Sequence, residues 1–217
     1  RIQIKTILND VWSEMVDDIS DSRGIDVKKL NVLADNLAGK NANSALKHSL
    51  VDGIVTQRKY DEKIKEIDED VEFINLASYL NVPNSKKIKS SNRIAVVYAE
   101  GPIIYGEGST EVIGSGKLVR TLKSIGKKDN IKAVVIRVNS PGGSAFASEL
   151  IWEEIEELKK NKSVVVSMGN VAASGGYYIS AGADEIVAMP TTITGSIGVL
   201  GTLPNFNKIA TRWGVNA

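Results

Sequence analysis

The sequence predicts an α/β fold with a mostly parallel sheet and flanking helices, preceded by a helical segment. After residue 93, short valine-rich runs alternate with stretches in which apolar residues recur three or four positions apart. Alternation of this kind is typical of βαβ units, whose strands run parallel. Before residue 70 the helical spacing occurs without the valine-rich runs, so this part is predicted to be helical.

The helical segment covers residues 1–70. Its first helix is predicted over residues 2–19, where a stripe of apolar side chains recurs on one face: Ile4, Leu8, Val11, Met15 and Ile19. Two further helical patterns cover residues 44–55 and 59–70.

A linker is predicted over residues 71–92, because its second half, NVPNSKKIKSSN, is polar and has no periodicity. The second domain is then expected over residues 93–217. Five apolar runs predict its strands, at 94–99, 132–138, 163–168, 185–189 and 197–201. Four helical patterns accompany them, at 116–125, 144–160, 174–183 and 205–213.

Composition excludes several classes of function. The formal net charge of +1 gives no reason to expect nucleic acid or an anionic membrane surface as a partner. The absence of cysteine excludes disulfides, thiolate metal sites and a cysteine nucleophile. No metal or cofactor is expected, because the acidic residues are scattered and the single histidine, His48, fits a surface or helix-end role. No apolar run is long enough to span a bilayer.

Two glycine-rich stretches follow predicted strands. NSPGGS covers residues 139–144 and GNVAASGG covers residues 169–176. Ligands gather at the carboxyl ends of parallel strands, so both stretches should face one cleft. Ser174 stands at a predicted helix start, where free N–H groups point outward and the helix dipole favours negative charge.

Acyl transfer needs this arrangement, because a hydroxyl attacks a carbonyl while nearby N–H groups stabilise the oxyanion that forms. The expected donors are the N–H of Gly175 and one N–H of the Gly142–Gly143 pair. For either stretch alone a structural interpretation stays open. Ser174 would then only cap the helix, and SPGG would only make a tight turn.

Three segments, VIRVNSPGGS, VVVSMGNVAASGGYYIS and TGSIGV, resemble the signal peptide peptidase A (protease IV) family of serine peptidases. The resemblance implies a ClpP/crotonase-like fold for residues 93–217. It also implies that Ser174 is the nucleophile and that Gly143 and Gly175 build the oxyanion hole, with Gly142 as a further candidate.

The same resemblance implies a Ser-Lys dyad in which Ser196 orients the lysine base. The lysines of this chain, such as Lys208, lie in no matching motif, so the base is expected outside these residues. ALKHSLVDGI resembles the end of the first domain in the longer, two-domain form of the family. Residues 1–70 are therefore expected to be the tail of a preceding related domain, and the nucleophile domain to continue past Ala217.

The implied function is a serine endopeptidase that degrades cleaved signal peptides and other hydrophobic peptides at the membrane. The implied assembly is a homo-oligomer, a tetramer in the long form, anchored outside this fragment on the periplasmic side of the bacterial inner membrane. No cofactor and no nucleic acid are implied. Two alternatives stay open: a crotonase-type acyl-CoA hydratase or isomerase, and a non-catalytic half that only supports assembly.

Overall fold

The structure, a computed structural model, describes residues 2–68, 70–80, 90–201, 205–206 and 212–214. The chain divides into two compact units, Arg1–Lys89 and Ser90–Ala217. The first is helical and the second is α/β. The predicted fold class, an α/β fold with a mostly parallel sheet and flanking helices after a helical segment, is confirmed. No helix among the described residues is both long enough and apolar enough to cross a lipid bilayer.

The helical unit contains five helices: α1 (Ile2–Arg23), α2 (Val27–Asp35), α3 (Ala42–Lys47), α4 (Gln57–Ile67) and α5 (Leu76–Leu80). Helices α2, α3 and α4 each begin after a capping residue whose side chain accepts a hydrogen bond from a backbone N–H of the first turn. These capping residues are Asp26, Asn41 and Thr56. The buried cluster of this unit is small and consists of Val16, Ile25 and Leu30.

Several boundaries of this unit differ from the sequence prediction. The first helix runs to Arg23, whereas the helix predicted over 44–55 ends at Lys47. Ser49 adopts a left-handed φ of +61°, and a residue in that conformation ends a helix. Helix α2 was not predicted, and helix α5 lies inside the stretch 71–92 that was predicted to be a linker.

The α/β unit contains one main sheet of five strands. Its order is β1-β4-β5-β6, with β7 also paired to β5, and all these pairs are parallel. The strands are β1 (Arg93–Glu100), β4 (Ile131–Ser140), β5 (Ser163–Ala173), β6 (Glu185–Val187) and β7 (Ile193–Gly195). A two-stranded parallel pair, β2 (Ile103–Ile104) and β3 (Ile113–Gly114), precedes the helices α6 (Ser115–Gly126), α7 (Ala145–Lys159) and α8 (Gly175–Ala181).

The core lies between the main sheet and helices α6 and α7. Alternate residues of β4 and β5 are fully buried in one cluster with the apolar faces of these helices, and they include Val134, Ile136, Val138, Val164, Val166, Leu122, Ile151 and Ile155. Because a strand alternates its side chains between two faces, this burial fixes the register of the two central strands. The carboxyl ends of β4 and β5 are therefore held side by side.

The predicted elements of this unit are largely confirmed, with two corrections. Strand β5 does not end at Met168 but continues to Ala173, so residues 169–173 are strand and not loop. Residues 197–201 were predicted to be a strand and are irregular; the strand lies just before them, at Ile193–Gly195. The helix predicted over 205–213 falls mostly outside the described residues.

Candidate active site

Ser174 lies where strand β5 ends and helix α8 begins. Its backbone has φ +53° and ψ −120°, a region that non-glycine residues rarely adopt. Its side chain makes no capping hydrogen bond, so the helix-cap interpretation is wrong. The backbone N–H donates instead to the Gly195 carbonyl at 2.8 Å. Strain of this kind persists only where the surroundings impose it, and Ser174 is half-buried.

The glycine turn at 142–143 touches this serine. A Cβ built on Gly142 would lie 2.5 Å from the Gly175 nitrogen and 2.8 Å from the Ser174 Cβ, distances that no real side chain tolerates. A Cβ on Gly175 would lie 3.2 Å from the Gly143 nitrogen. Only glycine permits backbones to approach this closely. The two glycine-rich stretches therefore meet, as the sequence predicted.

Hydrogen bonds hold the turn and leave specific amides free. The Gly142 N–H donates to the Ser140 Oγ at 3.1 Å, and the Gly142 carbonyl accepts from the Ile103 N–H at 2.9 Å. The Ser144 N–H donates to the Ile103 carbonyl at 2.8 Å. Within the described residues, neither the Gly143 N–H nor the Gly175 N–H donates to a protein acceptor. Of the three candidate oxyanion donors, Gly142 already has a partner and the other two do not.

Ser196 follows strand β7 on the other side of Ser174. Gly195 and Ser196 both have positive φ, +80° and +51°. Two threonines attach this segment to the end of β5: the Thr194 hydroxyl donates to the Ala172 carbonyl at 2.7 Å, and the Thr192 hydroxyl donates to the Gly169 carbonyl at 2.9 Å. The Ser196 side chain is exposed and lines the same cavity as Ser174.

Ser174, the two glycines with free N–H groups and Ser196 all line one cavity at this junction. Its volume is about 890 Å³. Its lining is mostly apolar and comes from the glycine turn, helix α8 and the segment after β7: Gly143, Ser144, Ala145, Ser174, Gly175, Tyr177, Tyr178, Ala181, Ser196, Ile197, Gly198, Val199 and Leu200. The part of this lining that the structure describes contains no lysine, histidine or carboxylate. It therefore offers a nucleophile and amide donors, but no general base.

The sequence also contains His48 and Lys208, whose side chains are able to accept a proton. His48 is the residue that follows helix α3 in the helical unit, which is the helix-end position that the sequence predicted. Lys208 falls outside the described residues. The base is therefore not provided by the part of the α/β unit that the structure describes around Ser174.

Sequence reasoning missed the residues that support the site. Ser140 is fully buried, and its Oγ accepts from the turn. Ser148, also fully buried, donates from its Oγ to the Ser144 carbonyl at 2.9 Å and would collide with any Cβ on Gly175. Asn139 accepts from the Val171 N–H at 3.2 Å through its Oδ1. The only sequence feature that could have indicated these supporting residues is a small polar side chain within an otherwise apolar strand or helix face.

A serine at a strand–helix junction, beside free main-chain amides in an apolar cavity, is the arrangement that a serine peptidase or a related acyl-transfer enzyme needs. Comparison with known proteins narrows this class. The sequence profile described as "Peptidase family S49" matches residues 156–217. This match and the relatives below confirm the predicted resemblance to the signal peptide peptidase A (protease IV) family of serine peptidases.

Three relatives match nearly the whole chain. Protease 4 of Haemophilus influenzae is 39% identical over 227 residues, which cover 97% of this chain and 37% of that protein. Protease 4 of Salmonella typhi is 32% identical, with coverage of 97% and 36%. The chloroplastic serine protease SPPA of Arabidopsis thaliana is 31% identical, with coverage of 98% and 33%. The chain thus spans about a third of the length of these relatives.

Solved structures that the chain resembles include a ClpP1 mutant from Listeria monocytogenes, with 23% identity, a TM-score of 0.34 and coverage of 41% of this chain and 46% of that one. They also include a mutant of the membrane-bound stomatin-specific protease 1510-N, with 26% identity, a TM-score of 0.42 and coverage of 56% and 59%.

Proposed function

We propose that this chain carries the nucleophile and the oxyanion hole of a serine endopeptidase. One observation carries the proposal: the uncapped, strained Ser174 shares a cavity with the unpartnered N–H groups of Gly143 and Gly175. Amides fixed in advance where a negative charge develops are worth about 10²- to 10³-fold each in rate.

The reaction follows from these positions. The Ser174 Oγ attacks the carbonyl carbon of the scissile peptide and gives its proton to a general base. The carbonyl oxygen becomes an oxyanion that accepts from the Gly143 and Gly175 N–H groups. The C–N bond then breaks, the leaving amine takes the proton, and the acyl group stays on Ser174. Water attacks this ester and releases the acid and the free serine.

The base is a lysine outside these residues, and Ser196 orients it. Support comes from the position of Ser196, which lines the cavity of Ser174, and from the lack of any base in the described lining. A lysine serves as a base when burial lowers its pKa toward neutrality, and an apolar cavity provides that burial. The relatives extend well beyond the span matched here, which leaves room for the lysine elsewhere.

The parts of the chain have separate roles in this proposal. Residues 1–70 are the helical tail of a preceding related domain, residues 71–92 link it to the next, and residues 93–217 begin the nucleophile domain. The division of the chain between Lys89 and Ser90 supports this order. The active enzyme is a homo-oligomer, a tetramer in the long form, anchored through other segments in the bacterial inner membrane with its catalytic part on the periplasmic side.

The substrates are cleaved signal peptides and other hydrophobic peptides. The apolar lining of the cavity, which includes Ala181, Ile197, Val199 and Leu200, supports this class. The crotonase-type alternative lacks support from the described lining, because it contains no carboxylate to exchange protons with a thioester substrate. The purely structural alternative does not explain why Ser174 is held strained and uncapped.

Labelling tests the proposal directly. A fluorophosphonate probe should label the full-length protein at Ser174, and the protein should cleave casein or a signal peptide. Ser174→Ala should abolish labelling and lower peptide hydrolysis by about 10⁴-fold or more. Ser163→Ala, at the exposed start of the same strand, is the matched control and should change neither. Turnover of an acyl-CoA without labelling would favour the crotonase alternative. Absence of both peptide hydrolysis and acyl-CoA turnover would favour the non-catalytic, structural alternative.

A further inference from the structure

Tyr178 lies one helical turn after the nucleophile, on the side of α8 that faces the cavity. Residues Ser174, Tyr177, Tyr178 and Ala181 recur at helical spacing and all line the cavity. Tyr178 is 37% exposed, so part of its ring faces the open space of the cavity. Because Ser174 and Tyr178 line one cavity, a substrate joined to the Ser174 Oγ would share this space with the Tyr178 ring.

The neighbouring helix α7 holds the Tyr178 ring at two points. The Trp152 ring lies beside it, with a centroid separation of 6.2 Å and an angle of 35°. The Tyr178 hydroxyl donates to the Glu149 carboxylate. Glu149 and Trp152 are three residues apart and lie on one face of α7.

Trp152 itself is fixed against the end of α8. A Cβ built on Gly182 would lie 2.9 Å from the Trp152 Cδ1, so the indole packs directly on the glycine backbone. A ring that is packed on one side and hydrogen-bonded at its tip cannot rotate out of the cavity without losing both contacts. The Tyr178 ring is therefore held in the cavity wall at two points.

We propose that Tyr178 is the specificity-determining residue of this site, and that it limits the size of the substrate side chain on the acyl side of the scissile bond. Glu149 is a positioning residue that acts through the Tyr178 hydroxyl. This inference rests on the proposed peptidase function. A hydrophobic pocket discriminates by about 10- to 200-fold per methylene that does not fit, which makes the effect measurable.

The test compares peptides that differ only in the residue on the acyl side, with alanine, leucine, phenylalanine or tryptophan. In the full-length protein, Tyr178→Ala should raise the ratio of kcat/KM for tryptophan over leucine by about 10-fold or more. Tyr178→Phe and Glu149→Ala release the ring without removing it and should raise the ratio by about 3-fold. Glu149→Gln keeps an acceptor for the hydroxyl and should restore the original ratio.

Tyr98, an exposed tyrosine on β1 outside the cavity, provides the matched control, and Tyr98→Ala should leave the ratio unchanged. A purely structural role for Tyr178 would lower kcat/KM for all four peptides in proportion. If Tyr178→Ala is still labelled at Ser174 but its ratio is unchanged, this inference is wrong and the proposed function stands. If the unmodified protein is not labelled, both are overturned. If Tyr178→Ala does not fold, Tyr178→Phe and Glu149→Ala decide by the same ratio.

Discussion

Among the described residues, the α/β unit buries twenty apolar residues in one cluster, whereas the buried cluster of the helical unit contains three. Helix α1 leaves much of its apolar stripe in solvent: Ile4 and Leu8 are 65% and 63% exposed. In the α/β unit helices cover the sheet and enclose side chains from several directions, whereas little of the apolar face of α1 is covered in the described part of the helical unit. A large buried core fixes the positions of the elements packed around it. Ser174 belongs to the unit that has such a core.

The largest effect should come from the core of the α/β unit. Ile136→Ala removes a fully buried side chain from the central strand β4 and should cost about 4 kcal/mol, because a cavity remains. Ile4→Ala on helix α1 should change stability by less than about 0.5 kcal/mol. Urea denaturation of the 217-residue chain, with hydrogen exchange read separately for each unit, measures both. A cost of several kcal/mol for Ile4→Ala would show that this face of α1 is packed after all.

Two glycines with positive φ sharpen the comparison. Gly142→Ala should cost about 3 kcal/mol or more, because the new Cβ meets the backbone of Gly175 and Ala173 at a φ of +94°. Gly24→Ala, at φ +62° with nothing within 4 Å, should cost only about 1 kcal/mol. The first change should also abolish fluorophosphonate labelling, and the second should not. Equal costs would mean that crowding at the turn contributes nothing.

Buried and exposed side-chain acceptors should differ as well. Ser140→Ala leaves the buried Gly142 N–H without its acceptor and should cost about 2 kcal/mol. Asn41→Ala removes the exposed cap of α3, which accepts from the Ser44 N–H, and should cost about 1 kcal/mol, because water can replace it. Thermal unfolding with hydrogen exchange of the two segments distinguishes them. A cost for Ser140→Ala below that of the cap would contradict the assigned hydrogen bond.

The smallest effects concern pH and have opposite signs in the two units. The hydrogen bond from Arg23 and its charge lower the pKa of Asp52 below its usual 3.8. This stabilisation is complete above pH 3.8 and is lost as the pH falls through the lowered pKa. Burial raises the pKa of Glu154 above its usual 4.5, more than Lys123 lowers it. The charged form of Glu154 therefore destabilises the fold near neutral pH, and that penalty is relieved as the pH falls through the raised pKa toward 4.5.

Hydrogen exchange at pH 7, 5 and 3 checks both signs. Asp52→Asn should remove the acid-induced loss of protection around α1, and Glu154→Gln should remove the acid-induced gain around α7. Both differences should be small, since Asp52 is exposed to water and Lys123 partly cancels the effect of burial on Glu154. Loss of protection in acid at both sites alike would show that the two carboxyl groups do not differ in environment.

The central elements of the α/β unit could be predicted because a buried parallel strand must be apolar over its whole length. The valine-rich runs of β1, β4 and β5 meet that condition and were found. The last five residues of β5, GNVAA, do not read as a strand. They become strand because residues 171–173 pair with β7 and because the Thr192 and Thr194 hydroxyls donate to two of their carbonyls. The apolar run at 197–201 reads as a strand but is irregular in the structure.

Within the site, the sequence predicted which residues take part but not their geometry. A serine before two glycines, and two glycines after Ser140, indicated a nucleophile beside free amides. No local sequence pattern indicated that the Gly142 N–H would donate to the Ser140 Oγ. None indicated that Glu149 and Trp152 would contact Tyr178. These partners lie on different elements or at a tight turn, and their meeting depends on how those elements pack.

The sequence alone determined the strand–helix alternation, the positions of Ser174 and the glycine turn, and the peptidase family that the chain resembles. Local composition and spacing carry that information, since burial and backbone permissiveness depend on residue type. The tertiary structure alone decided that Ser174 is strained and uncapped, which two amides stay free, and which tyrosine is held against the cavity. Those features depend on distances between backbones far apart in the chain, which are set by the parallel sheet and the helices packed on it.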